Sequence, residues 1–266
     1  MISSARIYIM IITKESQRFF TYKGNIFAGA ISAVFTLVVR YALWSALFAT
    51  GNAGDVTLRE ILTYFVIIDI LRVWLEANYG DAIGADIRSG DIVGRLVRPC
   101  SYHLQLVATF HARAVCDTIT RALPMLIIAV IFIGLMPPVS AVATAVFILS
   151  VLLGALIYSL ISMIISYMAF WTIASWQLQW YIIGLFMLFG GVALPLWFYP
   201  EWLRMLSGVL PFQFALFQPL GIYLGRVPPN QFAFTIGAQL FWIAVLFLLE
   251  RVIWRRAQYK LVVQGG

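Results

Sequence analysis

The sequence predicts an all-α membrane protein with six transmembrane helices, on three observations. Hydrophobic residues make up 62% of the 266 positions and charged residues only 11%, against roughly a quarter charged in a soluble domain. Apolar stretches recur along the chain, most of them near the roughly 20 residues that a helix needs to cross hydrocarbon. Lys and Arg crowd the ends of these stretches on one side. So few charges could not cover a water-facing surface. No Lys/Arg tract is interleaved with polar recognition residues, so nucleic acid is a poor partner.

The elements follow in order, all within one transmembrane domain covering residues 1–266. Residues 7–12 form an apolar core too short for a signal peptide, followed by Lys14, Glu15, Gln17 and Arg18; this predicts an amphipathic helix lying in the membrane surface. Span one is expected at 26–48 and span two at 58–79, separated by the polar link "ATGNAGDVT". Span three is expected at 116–136, ended by Pro137-Pro138. Span four is expected at 141–170, span five at 178–196 and span six at 232–250. Between the last two, residues 195–230 are too apolar for a solvated loop and too interrupted by proline for one span. Such backbone must be packed in protein or lie at the interface, and Trp197, Phe198, Tyr199, Trp202 and Tyr223 suit an aromatic belt.

Orientation follows from the cations. An even span count puts both termini on one side, with Arg6, Lys14, Arg18, Lys23, Arg88, Arg95, Arg98, Arg113, Arg121, Arg251, Arg255, Arg256 and Lys260. The other side holds Arg59, Arg204 and Arg226. That asymmetry predicts cytoplasmic termini and a cytoplasmic 80–121 region. Cys100 and Cys116 then face a reducing compartment, so no disulfide is expected. His103 and His111 lack a third ligand at useful spacing, so no metal site is expected.

The densest internal charge lies in "GADIRSGDIVGRLVRPCSYH" at 84–103. Ser89 reads as an N-cap and Asp91 as a first-turn carboxylate. Asp91 and Arg95 are spaced as an i, i+4 pair. Ile92, Val93, Leu96 and Val97 form an apolar face, and Pro99 stops the helix. Two turns are too few to be stable alone in water, so this helix must rest on membrane, on its own bundle, or in a groove of a partner.

The segments "IRSGDIVGRLVRP", "LRVWLE" in span two, and "GGVALPLWFYPEWLR" after span five resemble the permease subunits of bacterial type-two ABC exporters. The resemblance implies that Asp86, Arg88, Asp91, Ile92, Arg95, Leu96 and Arg98 belong to a coupling helix docked in an ATPase subunit. It implies re-entrant helices over 198–224 before span six, a second permease chain, identical or paralogous, and location in the bacterial cytoplasmic membrane. The chain carries no G-x-x-x-x-G-K-[ST] loop, so ATP and Mg would sit on a separate ATPase chain and this chain would bind no cofactor. A non-catalytic subunit is expected.

Charges within the spans require partners. Arg40 and Asp69 lie at similar depths, while Asp69, Arg72 and Glu76 follow i, i+3 and i+7 on one face. A neutralising network tying spans one and two is the main expectation. An ion-coupled carrier using Arg40, Asp69 and Glu76 is the alternative. Arg113, Asp117 and Arg121 repeat at i+4 below span three. By resemblance, spans two and five line the route, which nominates Tyr64, Asn78, Gln179, Trp180 and Met187.

Overall fold

The computed structural model describes residues 4–21, 23–51, 56–75, 78–98, 101–172 and 177–264. Most of these residues are helical, the rest in turns and irregular links such as 134–138, with no strand among them. The chain divides into two compact units, residues 1–76 with 103–139, and residues 77–102 with 140–266.

The first unit contains α1 (Ser4–Thr21), α2 (Lys23–Ala49) and α3 (Leu58–Leu75). It also holds most of one long helix rising from Tyr102. Leu37, Val66, Met125 and Ala129 form one cluster of its buried core, with Ala33, Ile70 and Ile128 packed around them. The helices touch through aliphatic side chains, which supply shape but little direction, so polar groups fix the ends. The Arg59 guanidinium donates to the carbonyls of Gly134 and Leu135. Thr63 Oγ accepts from the Met136 amide at 3.0 Å.

The second unit begins with α4 (Tyr79–Ser89) and α5 (Asp91–Leu96). The long helix is α6 (Tyr102–Asp117), a π-helical turn at Thr118–Ala122, and α7 (Leu123–Phe132). Then come α8 (Ala141–Ser166) and α9 (Leu178–Phe189). Three short helices follow, α10 (Glu201–Val209), α11 (Phe212–Ala215) and α12 (Phe217–Tyr223), and finally α13 (Phe232–Gln264). α8 is the centre of the second unit, packed by α11, α12 and α13. Ser150 on α8 donates to Gln239 Oε1 at 3.0 Å, and Gln239 Nε2 donates to the carbonyls of Ser150 and Phe214, each at 2.8 Å. A single glutamine thus joins α8, α11 and α13.

Among the described residues, four helices are long and apolar enough to cross a membrane: Phe27–Ala49, Tyr102–Phe132, Ala141–Phe170 and Pro229–Lys260. The other two expected spans fall short for different reasons. α3 has 18 residues but carries Arg59, Glu60, Asp69 and Arg72. α9 has only 12 residues and stops at Phe189 instead of 196, because the chain turns at Gly190-Gly191, where Gly191 has φ 77. The second helix ends at Leu75, and Asn78 starts α4 instead of extending it to 79. The third starts at Tyr102, not 116. Its charges permit this: Asp117 pairs with Arg113 at 3.7 Å and with Arg121 at 3.3 Å along the helix. Within 198–224, where re-entrant helices were expected, three short helices stand, the last two parted because Leu216 leaves helical geometry at φ −133.

Candidate functional site

The charged loop folds as a bracket of two helices. Asn78 caps α4, its Oδ1 accepting from the Asp81 amide at 3.1 Å and its Nδ2 donating to the Asp81 carboxylate at 2.8 Å. α4 ends at Gly90, whose φ of 77 only glycine adopts without strain. That same Gly90 opens α5, a helix of six residues. The expected cap at Ser89 is therefore displaced by one residue. Ser89 Oγ still accepts from the Asp91 amide at 3.4 Å, and it donates to the Asp91 carboxylate at 2.8 Å.

The expected Asp91–Arg95 pair is not what forms. Arg95 Nη2 reaches back to Asp86 Oδ1 at 3.1 Å. Tyr102 donates to the other oxygen of Asp86 at 2.8 Å. The left-handed turn at Gly90 folds α5 back toward α4, so the earlier carboxylate is closer than the one in register. Asp86 is 5% exposed, which makes its two donors necessary. Ile92, on the inner side of α5, is 2% exposed.

Beneath this bracket lies a layer absent from the expectations. The Tyr102 ring stacks on Trp254 of α13 at 5.8 Å with an interplanar angle of 11°. Trp254 also meets Tyr167 at 5.1 Å and Phe170 at 6.0 Å. Tyr167 donates to Glu250 Oε1 at 2.9 Å. Tyr79 is buried against the same layer; desolvation pushes its hydroxyl up to about 12, against a hydrogen bond to Ser159 that lowers it. A signal was present in the sequence: Asp86 and Glu250 are carboxylates beside apolar runs, and each needs a donor. Asp86 stands in the charged loop singled out above, whereas Glu250, at the end of an apolar run, was not singled out.

The outer side of α5 is different in character. Val93 is 63% exposed and Val97 80% exposed. They stand one turn apart, flanked by exposed Arg88, Asp91 and Arg98. Of the four apolar positions expected on one face, Ile92 is enclosed, Leu96 is half-buried, and the two valines point away from this chain. Pro99 and Cys100 lie outside the described residues.

In the first unit, Arg40 Nη2 sits 2.9 Å from Asp69 Oδ1, and Arg72 Nη1 is 3.9 Å from the same oxygen. The Arg40 guanidinium also lies over the Phe65 ring at 4.3 Å. Glu76, the fourth expected member, lies outside the described residues. A cleft of about 160 Å³ opens beside these groups, lined among others by Gly29, Ser32, Thr36, Arg40, Asp69, Arg72 and Arg121.

The residues nominated as pathway lining are not alike. Tyr64 is fully enclosed at 0% exposure, and Asn78 is occupied as a helix cap. Gln179 is half-buried. Trp180 is 65% and Met187 43% exposed on α9. Among the described residues, no three His, Cys, Asp or Glu side chains come together as a metal site.

Neither the curated proteins nor the solved structures gave a match. A family model described as "ABC-2 family transporter protein" matches residues 31–265, which takes in α3, the α4–α5 bracket, the short helices before α13, and α13 itself. A chain so matched over nearly its whole length, and built from apolar helices around a small charged bracket, belongs to the ABC-2 transporter family.

Proposed function

We propose that this chain is the membrane subunit of an ATP-driven exporter, pairing with a second permease chain, identical or paralogous, over two separate ATPase subunits. Six segments cross the membrane with both termini cytoplasmic: the four long helices, α3 with its charges neutralised, and α9 with the broken segment after it. The α10–α12 stretch closes the outer end of the route. The ATPase subunits hold ATP and Mg, and this chain performs no chemistry. Trp180 and Met187 on α9 are the exposed candidates for contact with cargo.

The observation that carries this reading is the α4–α5 bracket. A helix of six residues cannot persist alone, yet α5 is held by Ile92 inside and by Arg95 on Asp86. It presents Val93 and Val97 outward with charges around them, the pattern of a small helix seated in a groove of a partner. Movement of such a partner would bear on α5. Asp86 and Tyr102 carry it to Trp254, and from there to the ends of α8 and α13, which Tyr167 and Glu250 join. The ion-coupled alternative has weaker support, since Arg40 and Asp69 are already paired in a way that suits charge neutralisation.

The test is co-purification of the full chain with the ATPase subunits encoded beside it. Arg95→Glu would break the bracket itself, so it is a poor probe of docking. Val93→Asp and Val97→Asp alter only exposed positions. Each is expected to weaken ATPase binding at least about tenfold, since burying one valine is worth about 1.5 kcal/mol and a buried unpaired charge costs more. Undiminished binding by both variants, with the permease intact, would refute docking through α5.

A further inference from the structure

The cleft beside Arg40 has walls that charge neutralisation alone does not require. Three guanidiniums line it, from Arg40, Arg72 and Arg121, against one carboxylate, Asp69. Asp117 pairs with Arg121 at 3.3 Å but also serves Arg113 at 3.7 Å. With Arg113 and Asp117 added, the described residues of the group hold four guanidiniums and two carboxylates. A surplus of guanidiniums over carboxylates among apolar helices is costly, and where it occurs it marks a ligand path or site.

Two details of the backbone shape this cleft around Arg121. The π-helical turn at Thr118–Ala122 carries Arg121. Such turns widen a helix and re-aim its side chains. On the opposite wall, a Cβ at Gly29 would stand 2.9 Å from Arg121 Cγ and Nε. α2 is therefore reduced to bare backbone where the arginine passes. Ser32 and Thr36 set hydroxyls along the same wall, with Thr36 Oγ donating to the Ser32 carbonyl at 2.9 Å. Phe35, 68% exposed, and Val39, 46% exposed, lie on the flank of α2 next to Ser32.

We propose that this cleft binds the phosphate of an anionic lipid headgroup, with Arg121, Arg72 and Arg40 as the cationic wall and the acyl chains lying along Phe35 and Val39. Guanidiniums match phosphate oxygens in paired, charge-assisted hydrogen bonds. Basic pockets between membrane helices on the cytoplasmic side suit lipid headgroups. The apolar flank decides for a lipid over a free anion, because a free anion has no use for it. Only the choice of leaflet rests on the orientation proposed above; the site itself needs neither an ATPase nor a cargo.

The experiment is native mass spectrometry of the full chain in an uncharged detergent, titrated with phosphatidylglycerol or phosphatidylcholine. Phosphatidylglycerol is expected to bind about tenfold more tightly or better, the worth of one charge-assisted hydrogen bond. Arg121→Gln should remove most of that preference, while Arg255→Gln, on exposed α13 surface, should leave it. Ser32→Leu keeps every charge and fills the cleft from an exposed position on α2. It should abolish the preference too, and it carries the test if Arg121→Gln does not fold. Equal binding of the two lipids, or equal losses in Arg121→Gln and Arg255→Gln, would overturn the site. Displacement of phosphatidylglycerol by millimolar inorganic phosphate, but not by chloride at the same ionic strength, would overturn the lipid assignment in favour of a free anion.

Discussion

Gly154 lies where α8 passes α11, and a Cβ there would meet the Ala215 carbonyl oxygen and the backbone behind it. Backbone cannot move aside as a side chain can, so Gly154→Ala is predicted to destabilise by about 1–3 kcal/mol. Gly237 on α13 has no atom within 4 Å of its would-be Cβ, and there alanine should gain up to about 1 kcal/mol of helix propensity. Apparent melting temperatures in one detergent should move in opposite directions for the two variants; a shift of the same sign and size would show that the α8–α11 contact is not as close as described. Glycine 154 stands out in the sequence as a small residue in an apolar helix, which suggests close packing. What it packs against was not legible, because Ala215 is a featureless residue far along the chain. Arg95 shows a different limit. Its spacing from Asp91 suits an ion pair, but a left-handed turn at Gly90 places Asp86 within reach instead. Spacing rules hold within one helix and do not extend across a turn whose geometry is unknown.

At the scale of elements, α2 is held by a narrow apolar face, with Leu37 and Trp44 buried, and by one ion pair to α3. Much of its surface is exposed, with Phe27, Ile31, Phe35 and Val38 each more than half uncovered. Arg40 on α2 and Asp69 on α3 bridge the helices at 2.9 Å, and Arg72 shares the carboxylate at 3.9 Å. Breaking a largely buried pair by removing one partner costs about 3–5 kcal/mol. Asp69→Asn is predicted to be worse than Arg40→Gln, since it takes the carboxylate from two guanidiniums at once. The double variant should cost less than the sum of the two. Thermal unfolding of the three proteins checks this, and strict additivity would mean that the pair contributes nothing as a pair. The matched depths of Arg40 and Asp69 could be read by counting residues from the helix ends. The length of α6 could not, because Arg113, Asp117 and Arg121 look like a helix terminus until their mutual pairing is known.

At the scale of the molecule, apolar length identified α2, α8 and α13 directly, while α3 and α9 depend on how charge and glycine act inside a span. The proposed six-span orientation makes a plain prediction. In a Cys100→Ser background, where the remaining Cys116 is 1% exposed, a cysteine at Val139 or Arg226 should react with a membrane-impermeant maleimide added to intact cells. A cysteine at Arg88 should react only after the membrane is opened. Labelling of Arg88→Cys from outside would reverse the topology. The last helix adds a consequence of its own. α13 has 33 residues, about 50 Å of rise, against roughly 30 Å of hydrocarbon. In the orientation proposed above, an upright α13 would stand about 20 Å clear of the lipid, with Trp254 near the start of that overhang. Because Tyr102 rests on Trp254 and also holds Asp86, the helix works as a ruler that sets the height of the α4–α5 shelf. One inserted residue above Trp254 would swing its ring by about 100° and part it from Tyr102. Length at this point can change only in near-whole turns, and each turn would require a partner cut to a different clearance.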